Sequence, residues 1–180
     1  MAKVTIAPSH RMDSIKEYYF SKKNREIAEL RKAGRDIISL GIGSPDMPPA
    51  QAVIDRLAKE AQRPDVHAYQ PYNGSELLRK AYADWYEKWY NVKLDPKSEV
   101  LPLLGSKEGI VHICMAFLDE GDKVLVPNPG YPTYRAAVTL AGGDVLEYRL
   151  NAENGFYPNF EEIEKEDLSN VKLMFVNYPN

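Results

Sequence analysis

The chain has 180 residues, of which 44% are hydrophobic and 27% are charged. This balance is ordinary for a soluble globular protein and argues against a disordered chain. The net charge of −3 gives no electrostatic reason to expect nucleic acid or an anionic membrane as a partner, so we expect neither.

The single cysteine, Cys114, excludes an internal disulfide, and its apolar surroundings predict a place in the core. Residues 1–10 contain no long apolar stretch, so we expect no signal peptide. No window approaches the roughly 20 apolar residues that a membrane-spanning helix needs. A cytoplasmic location follows by default, and we predict no metal site.

The first half of the chain is predicted to be mainly helical. The polar stretch at residues 12–33, followed by Gly34, predicts a helix with a glycine at its end. We then expect a short strand at 37–40, a turn-rich segment at 41–49 and a helix at 50–62. A soft boundary in the turn-rich segment separates an N-terminal arm from the main body.

The next predicted helix is capped by Ser75 and runs to about Tyr90, with apolar residues at helical spacing. These residues are Leu78, Ala81, Tyr82, Trp85 and Trp89. We interpret them as a core face. A stacking platform for single-stranded nucleic acid would use similar rings, but the negative charge and the interspersed acidic residues favour burial.

From residue 99 onward strands and helices alternate, which predicts an α/β protein with a mainly parallel sheet flanked by helices. The predicted strands are 99–104, 123–126, 144–150 and 171–176, and the predicted helices are 107–118, 133–141 and 158–166. Only four residues follow the last strand. A parallel strand normally lies between covering elements, so we expect the natural protein to continue beyond Asn180.

Ligands of open parallel sheets bind beyond the carboxyl ends of the strands. Three predicted loops lie there: GSKEG at 105–109, PNPGYP at 127–132 and NYPN at 177–180. In the first, Gly105 lets a ligand approach, and Ser106 and Lys107 open a helix whose free N–H groups attract phosphate. The spacing matches neither a Walker loop nor a dinucleotide fingerprint.

The other two loops offer a ring and an amide. Prolines hold the backbone around Tyr131, whose ring could stack on a planar ligand, and Asn177 offers a side-chain amide. Each feature also has an ordinary structural interpretation: a capped helix, a tyrosine packed on its own helix and a turn former. Together they suit a phosphorylated aromatic cofactor. Gly41 and Gly43 could admit a small ligand or only form a turn.

Five segments resemble the class I/II aminotransferases of fold type I, in the branch that contains LL-diaminopimelate aminotransferases. They occur in family order and cover nearly the whole chain: LGIGSPD at 40–46, Tyr69 with NGSELLR at 73–79, GSKEGI at 105–110, PNPGYPTY at 127–134 and FVNYPN at 175–180. The resemblance implies a three-layer large domain of a pyridoxal-phosphate enzyme. Residues 1–45 would form the N-terminal arm and a small-domain segment, and residues 46–180 the first part of the large domain.

The resemblance also implies roles. Gly105, Ser106 and Lys107 would hold the phosphate of pyridoxal 5'-phosphate, Tyr131 would stack on its ring, and Asn177 would lie in the cofactor-binding stretch. Tyr69 would reach the phosphate of a neighbouring subunit, so a homodimer with shared sites is expected. Gly43 would lie against the substrate carboxylate.

The implied activity is transfer of an amino group between an amino acid and a 2-oxo acid. The lysine that binds the cofactor covalently would lie beyond Asn180, so we expect no catalytic residue among these 180 residues and no activity from them alone. The alternatives are a lyase, decarboxylase or synthase with the same cofactor, a non-enzymatic sensor, and a phosphate- or nucleotide-binding α/β module.

Overall fold

A computed structural model describes residues 6–13, 15, 17–41 and 43–179. The chain divides into two compact units, Glu17–Pro102 and a second formed by Leu103–Asn180 with the start of the chain. This division rests on compactness, so the predicted domain boundary between residues 45 and 46 stays a prediction.

The unit Glu17–Pro102 contains three helices: α1 (Tyr19–Lys32), α2 (Gln51–Ala61) and α3 (Glu76–Tyr90). Gly34 follows α1 with a φ of 82°, the left-handed conformation that glycine adopts readily. The Ser75 hydroxyl accepts a hydrogen bond from the Leu78 N–H at 3.3 Å. Both predicted helix ends are therefore confirmed.

Two predictions for this region are wrong. The helix predicted at 12–33 begins only at Tyr19, after a 3-10 helix at His10–Met12. The predicted strand at 37–40 is irregular backbone with Ile38 and Leu40 exposed. The Arg31 guanidinium donates to the Ile37 carbonyl at 2.7 Å. This carbonyl is therefore bonded to a side chain and not to a neighbouring strand.

The predicted core face of α3 is not buried among the described residues. Trp85 is 47% exposed and Trp89 61% exposed, and Ala83 is the one buried residue that the helix contributes there. Trp85 instead contacts the ring of Tyr90, with 5.2 Å between the two centroids. The apolar periodicity identified the helix, but periodicity does not show what covers a face.

The second unit contains a parallel sheet. Its elements are α4 (Ser106–Phe117), β1 (Lys123–Asn128), α5 (Pro132–Ala141), β2 (Asp144–Arg149), α6 (Phe160–Ile163) and β3 (Val171–Met174). The strand order is β2-β1-β3, and both pairings are parallel. The predicted parallel sheet is confirmed, and α6 is shorter than the helix predicted at 158–166.

Side chains of β1 alternate between two cores, which places helices on both faces of the sheet. Val124 and Val126 pack with Cys114 of α4 and Val138 of α5. Leu125 points the other way, into a cluster that includes Ile163 of α6. This alternation with period two is the geometry of a buried central strand. Cys114 is fully buried, as predicted.

The strand predicted at 99–104 is absent from the described structure. Leu101 and Leu104 are 62% and 101% exposed, and Pro102 has no N–H to donate. A strand requires a paired neighbour, and no described residues pair with this segment. Among the helices described, none is long and apolar enough to cross a lipid bilayer.

Candidate functional site

The start of α4 lies directly after Gly105. Gly105 has no side chain and so makes no side-chain cap, and the backbone N–H groups of the first turn point toward the start of the helix. Ser106 and Lys107 are exposed, and a Cβ added to Gly105 would meet no atom within 4 Å. The helix start therefore opens onto free space, as an anion site requires.

The Tyr131 loop is rigid and tightly turned. Tyr131 is the N-cap residue of α5, and Pro132 occupies the first helical position, where the missing N–H costs nothing. A Cβ at Gly130 would overlap the carbonyl oxygen of Pro127, so glycine is required for this turn. The ring of Tyr131 is half-buried, which leaves part of it available for contact.

The first two predicted loops meet through Lys107 and Tyr131. The Lys107 ammonium lies 5.9 Å from the centroid of the Tyr131 ring. Hydrogen bonding with Thr133 lowers the pKa of the Tyr131 phenol, and hydrogen bonding and charge from Lys107 lower it further. The helix start that we predict to bind phosphate and the ring that we predict to stack on the cofactor are thus neighbours.

Aromatic contacts continue from Tyr131 to the third strand tip. Tyr134, one helical turn along α5, meets the Tyr131 ring edge-on at 5.7 Å. Phe175, the residue after β3, stacks on Tyr134 with centroids 4.6 Å apart and planes inclined by 12°. Asn177 is two residues further along; it is exposed and its amide donates to the Pro179 carbonyl at 3.2 Å.

Glu147 of β2 connects both ends of the Tyr131 segment. Its carboxylate accepts a hydrogen bond from the Asn128 amide at 2.9 Å and forms an ion pair with Arg135 of α5. Asn128 precedes Tyr131 and Arg135 follows it. Both partners are solvent-exposed, so the ion pair contributes little to stability, but it ties the segment to the sheet.

The structure thus brings Lys107, Ser106 and Tyr131 together and links Tyr131 to the segment that carries Asn177. Tyr69 and Gly43 belong to the other unit, Glu17–Pro102, where both are exposed. The functional roles of all these residues stay predictions.

The described residues contain no group of three His, Cys, Asp or Glu side chains that could hold a metal ion.

Sequence reasoning assigned no role to Tyr134, Phe175 or Tyr148. Tyr148 of β2 is 4% exposed, and its hydroxyl donates to the Phe175 carbonyl at 2.6 Å. The spacing of Tyr131 and Tyr134, three residues apart at a helix start, was a signal that the two rings share a face. Nothing in the sequence pattern pairs Tyr148 with Phe175.

A parallel sheet with helices on both faces, and with loops at the carboxyl ends of its strands, defines an open α/β protein. Within that class, the sequence profile of the family described as "Aminotransferase class I and II" matches residues 35–180. The chain therefore belongs to the class I and II aminotransferase family.

Relatives and solved structures agree with this assignment. The chain is 48% identical over 172 residues to the LL-diaminopimelate aminotransferase of Moorella thermoacetica, covering 96% of this chain and 44% of the relative. The LL-diaminopimelate aminotransferase of Aquifex aeolicus is 40% identical, and the match again covers 96% of this chain and 44% of the relative.

Among solved structures, substrate-bound BacF from Bacillus subtilis superposes with a TM-score of 0.88 at 37% identity, over 98% of this chain and 44% of BacF. The aspartate aminotransferase of Thermotoga maritima gives a TM-score of 0.87 at 29% identity, and the match covers 96% of this chain and 46% of that enzyme. The chain spans less than half the length of the relatives that it matches.

The residues present fit the phosphate and ring of pyridoxal 5'-phosphate. A helix start and open space at Gly105 suit an anion, and the Lys107 ammonium adds positive charge there. A half-buried tyrosine ring next to that charge suits an aromatic ring attached to the anion.

Proposed function

We propose that the full-length protein is a pyridoxal-phosphate-dependent aminotransferase that moves an amino group between an amino acid and a 2-oxo acid. The observation that carries the proposal is the contact between Lys107 and Tyr131. It places the start of a helix beside a ring held in a proline-rich loop, in a chain of the class I and II aminotransferase family.

The residues of this chain would anchor and orient the cofactor. The backbone N–H groups of Ser106 and Lys107 would donate to its phosphate, with Gly105 leaving room for the approach. Tyr131 would pack against the ring and limit its tilt, which orients the reacting bonds. Asn177 would contribute its side-chain amide to the cofactor site.

When bound, pyridoxal phosphate supplies an electron sink that stabilises the charge left by loss of the amino acid α-proton. The lysine that moves this proton is proposed to lie outside these 180 residues. Gly43 would pack against the substrate carboxylate, since its position has no side chain to block the approach and an added Cβ would meet no atom within 4 Å.

The proposed assembly is a cytoplasmic homodimer with shared sites. Tyr69 is fully exposed, so its phenol is available to reach the phosphate in a second subunit. We propose LL-diaminopimelate as an amino-group donor, because the relatives that are 40% and 48% identical are named for it.

The test uses the full-length protein, purified without cofactor and titrated with pyridoxal phosphate. We expect absorbance of a lysine-bound cofactor, and we expect it to shift when LL-diaminopimelate is added. With 2-oxoglutarate as acceptor, glutamate should accumulate in proportion to donor consumed. If no lysine-linked cofactor forms at saturation, the proposal fails.

Product analysis separates transfer from the alternatives. A lyase, decarboxylase or synthase would bind the cofactor but release products other than a 2-oxo acid and glutamate. The 180-residue chain alone serves as a control, because it is proposed to lack the cofactor-binding lysine. Steady-state transamination by that chain would contradict the assignment of the catalytic lysine outside it.

A further inference from the structure

The Tyr148 hydroxyl connects the two outer strands of the sheet across the central one. Tyr148 lies on β2 and Phe175 directly follows β3, while β1 lies between them. The hydroxyl donates to the Phe175 carbonyl at 2.6 Å. Burial raises the pKa of Tyr148 to about 12, so the hydroxyl stays protonated and remains a donor at neutral pH.

Phe175 is held by three independent contacts. Its N–H donates to the Leu125 carbonyl of β1 at 2.9 Å, its carbonyl accepts from Tyr148, and its ring stacks on Tyr134. These contacts come from the central strand, from the far strand and from α5. Phe175 is therefore fixed in position relative to Tyr131, whose ring Tyr134 also contacts.

We propose that Tyr148 is a positioning residue, which holds the segment after β3, including Asn177, at the distance from Tyr131 that the cofactor ring requires. This inference rests on the proposed function. Tyr148 acts through Phe175 and does not itself touch the cofactor. Its hydroxyl is the part that matters, because the ring alone would fill the same volume in the core.

The predicted effect is selective for the ring of the cofactor. Replacing Tyr148 by Phe leaves the Phe175 carbonyl without its donor, and the segment after β3 then relaxes toward another partner or toward water. The phosphate-binding donors belong to the start of α4, which is joined to Tyr131 by Lys107 and not by Phe175. Phosphate binding should therefore be unaffected.

The experiment compares Tyr148→Phe with wild type in the full-length protein freed of cofactor. Dissociation constants are measured for pyridoxal phosphate by absorbance and for inorganic phosphate by calorimetry. We expect pyridoxal phosphate to bind about two- to tenfold more weakly, the range that a single net hydrogen bond allows, with unchanged binding of inorganic phosphate. Tyr86→Phe on exposed α3 is the matched control and should change neither constant.

Two outcomes would overturn the inference. Equal loss of both ligands would show a general loosening of the unit, and unchanged affinity for both would show that the hydroxyl only fills the core. If the wild-type protein binds inorganic phosphate but no pyridoxal phosphate, the proposed function itself fails, which is a different result.

A second variant keeps the test valid should Tyr148→Phe fold poorly. Phe175→Leu retains the carbonyl that accepts from Tyr148 but removes the ring stacked on Tyr134. The same selective loss of pyridoxal phosphate affinity is expected, because the link between Tyr131 and the segment after β3 is broken. Unchanged pyridoxal phosphate affinity in this variant would contradict the positioning role.

Discussion

The Lys107 ammonium lies 5.9 Å from the centroid of the Tyr131 ring, although Lys107 belongs to α4 and Tyr131 to the connection between β1 and α5. This contact joins the start of α4 to the start of α5 at the edge where ligands of parallel sheets bind. A cation at a helix start and an aromatic ring are thereby brought close together.

Tyr131→Ala tests the role of the ring. In the full-length protein this change should weaken pyridoxal phosphate binding by about 0.5–1.5 kcal/mol beyond the loss of contact area, since stacked aromatic pairs contribute that much. The measurement is a cofactor titration of the apoprotein. Tyr131→Phe keeps the ring and should retain most of the affinity, whereas unchanged affinity in Tyr131→Ala would show that the ring only packs on its own helix.

Gly130→Ala tests the turn that carries Tyr131. The added Cβ would overlap the Pro127 carbonyl oxygen and approach the Pro127 ring to 2.9 Å, so the backbone must shift. We expect a loss of about 1–3 kcal/mol in the free energy of unfolding, the usual cost of overpacking, measured by urea denaturation. Gly43→Ala, whose Cβ would meet nothing within 4 Å, is the control. Equal stability of the two variants would contradict the turn geometry.

Asp122 should make stability depend on pH in acid. Its buried carboxylate pairs with Lys172 at 2.8 Å and accepts from the Asp119 N–H at 2.6 Å. The hydrogen bond from Lys172, followed by that from Asp119, lowers the pKa of Asp122 below its usual value. The stability from this carboxylate is therefore present above about pH 4 and is lost as the pH falls toward the lower folded-state pKa.

Asp122→Asn isolates this contribution. The variant should be less stable than wild type at pH 7, and the difference should shrink as the pH is lowered from about 4 toward 2, where the wild-type carboxyl becomes neutral too. Urea denaturation at several pH values gives the comparison. A difference that does not change with pH would show that the ion pair contributes nothing specific to the folded state.

Ser75→Ala tests the cap of α3. The Ser75 hydroxyl accepts from the Leu78 N–H, and loss of an N-cap side chain costs about 0.5–2 kcal/mol. Thermal or urea unfolding of the full-length protein should show a decrease of that size. Ser75→Asp restores an acceptor at the same place and should recover most of the lost stability. If Ser75→Ala were as stable as wild type, the Ser75 side chain would not cap the helix.

Short-range patterns predicted most of the helices and strands of the second unit and two helix ends in the unit Glu17–Pro102. The strand at β1, the helices α4 and α5, and the ends at Gly34 and Ser75 depend on residues close in sequence, such as apolar periodicity and capping side chains. The same patterns failed at 37–40 and 99–104, because a strand is defined by its neighbour and these segments have no described partner.

The sequence by itself determined the family and the residues expected at the edge of the sheet, since motifs such as GSKEG and PNPGYP are local chemistry. The tertiary structure decided which side chains meet. Tyr148 and Phe175 are 27 residues apart in the chain, and their hydrogen bond exists because β1 pairs with both β2 and β3. Residue propensity and periodicity do not determine the order of strands in a sheet. Only the folded structure therefore shows this contact, the stack of Tyr134 on Phe175 and the exposure of the α3 rings.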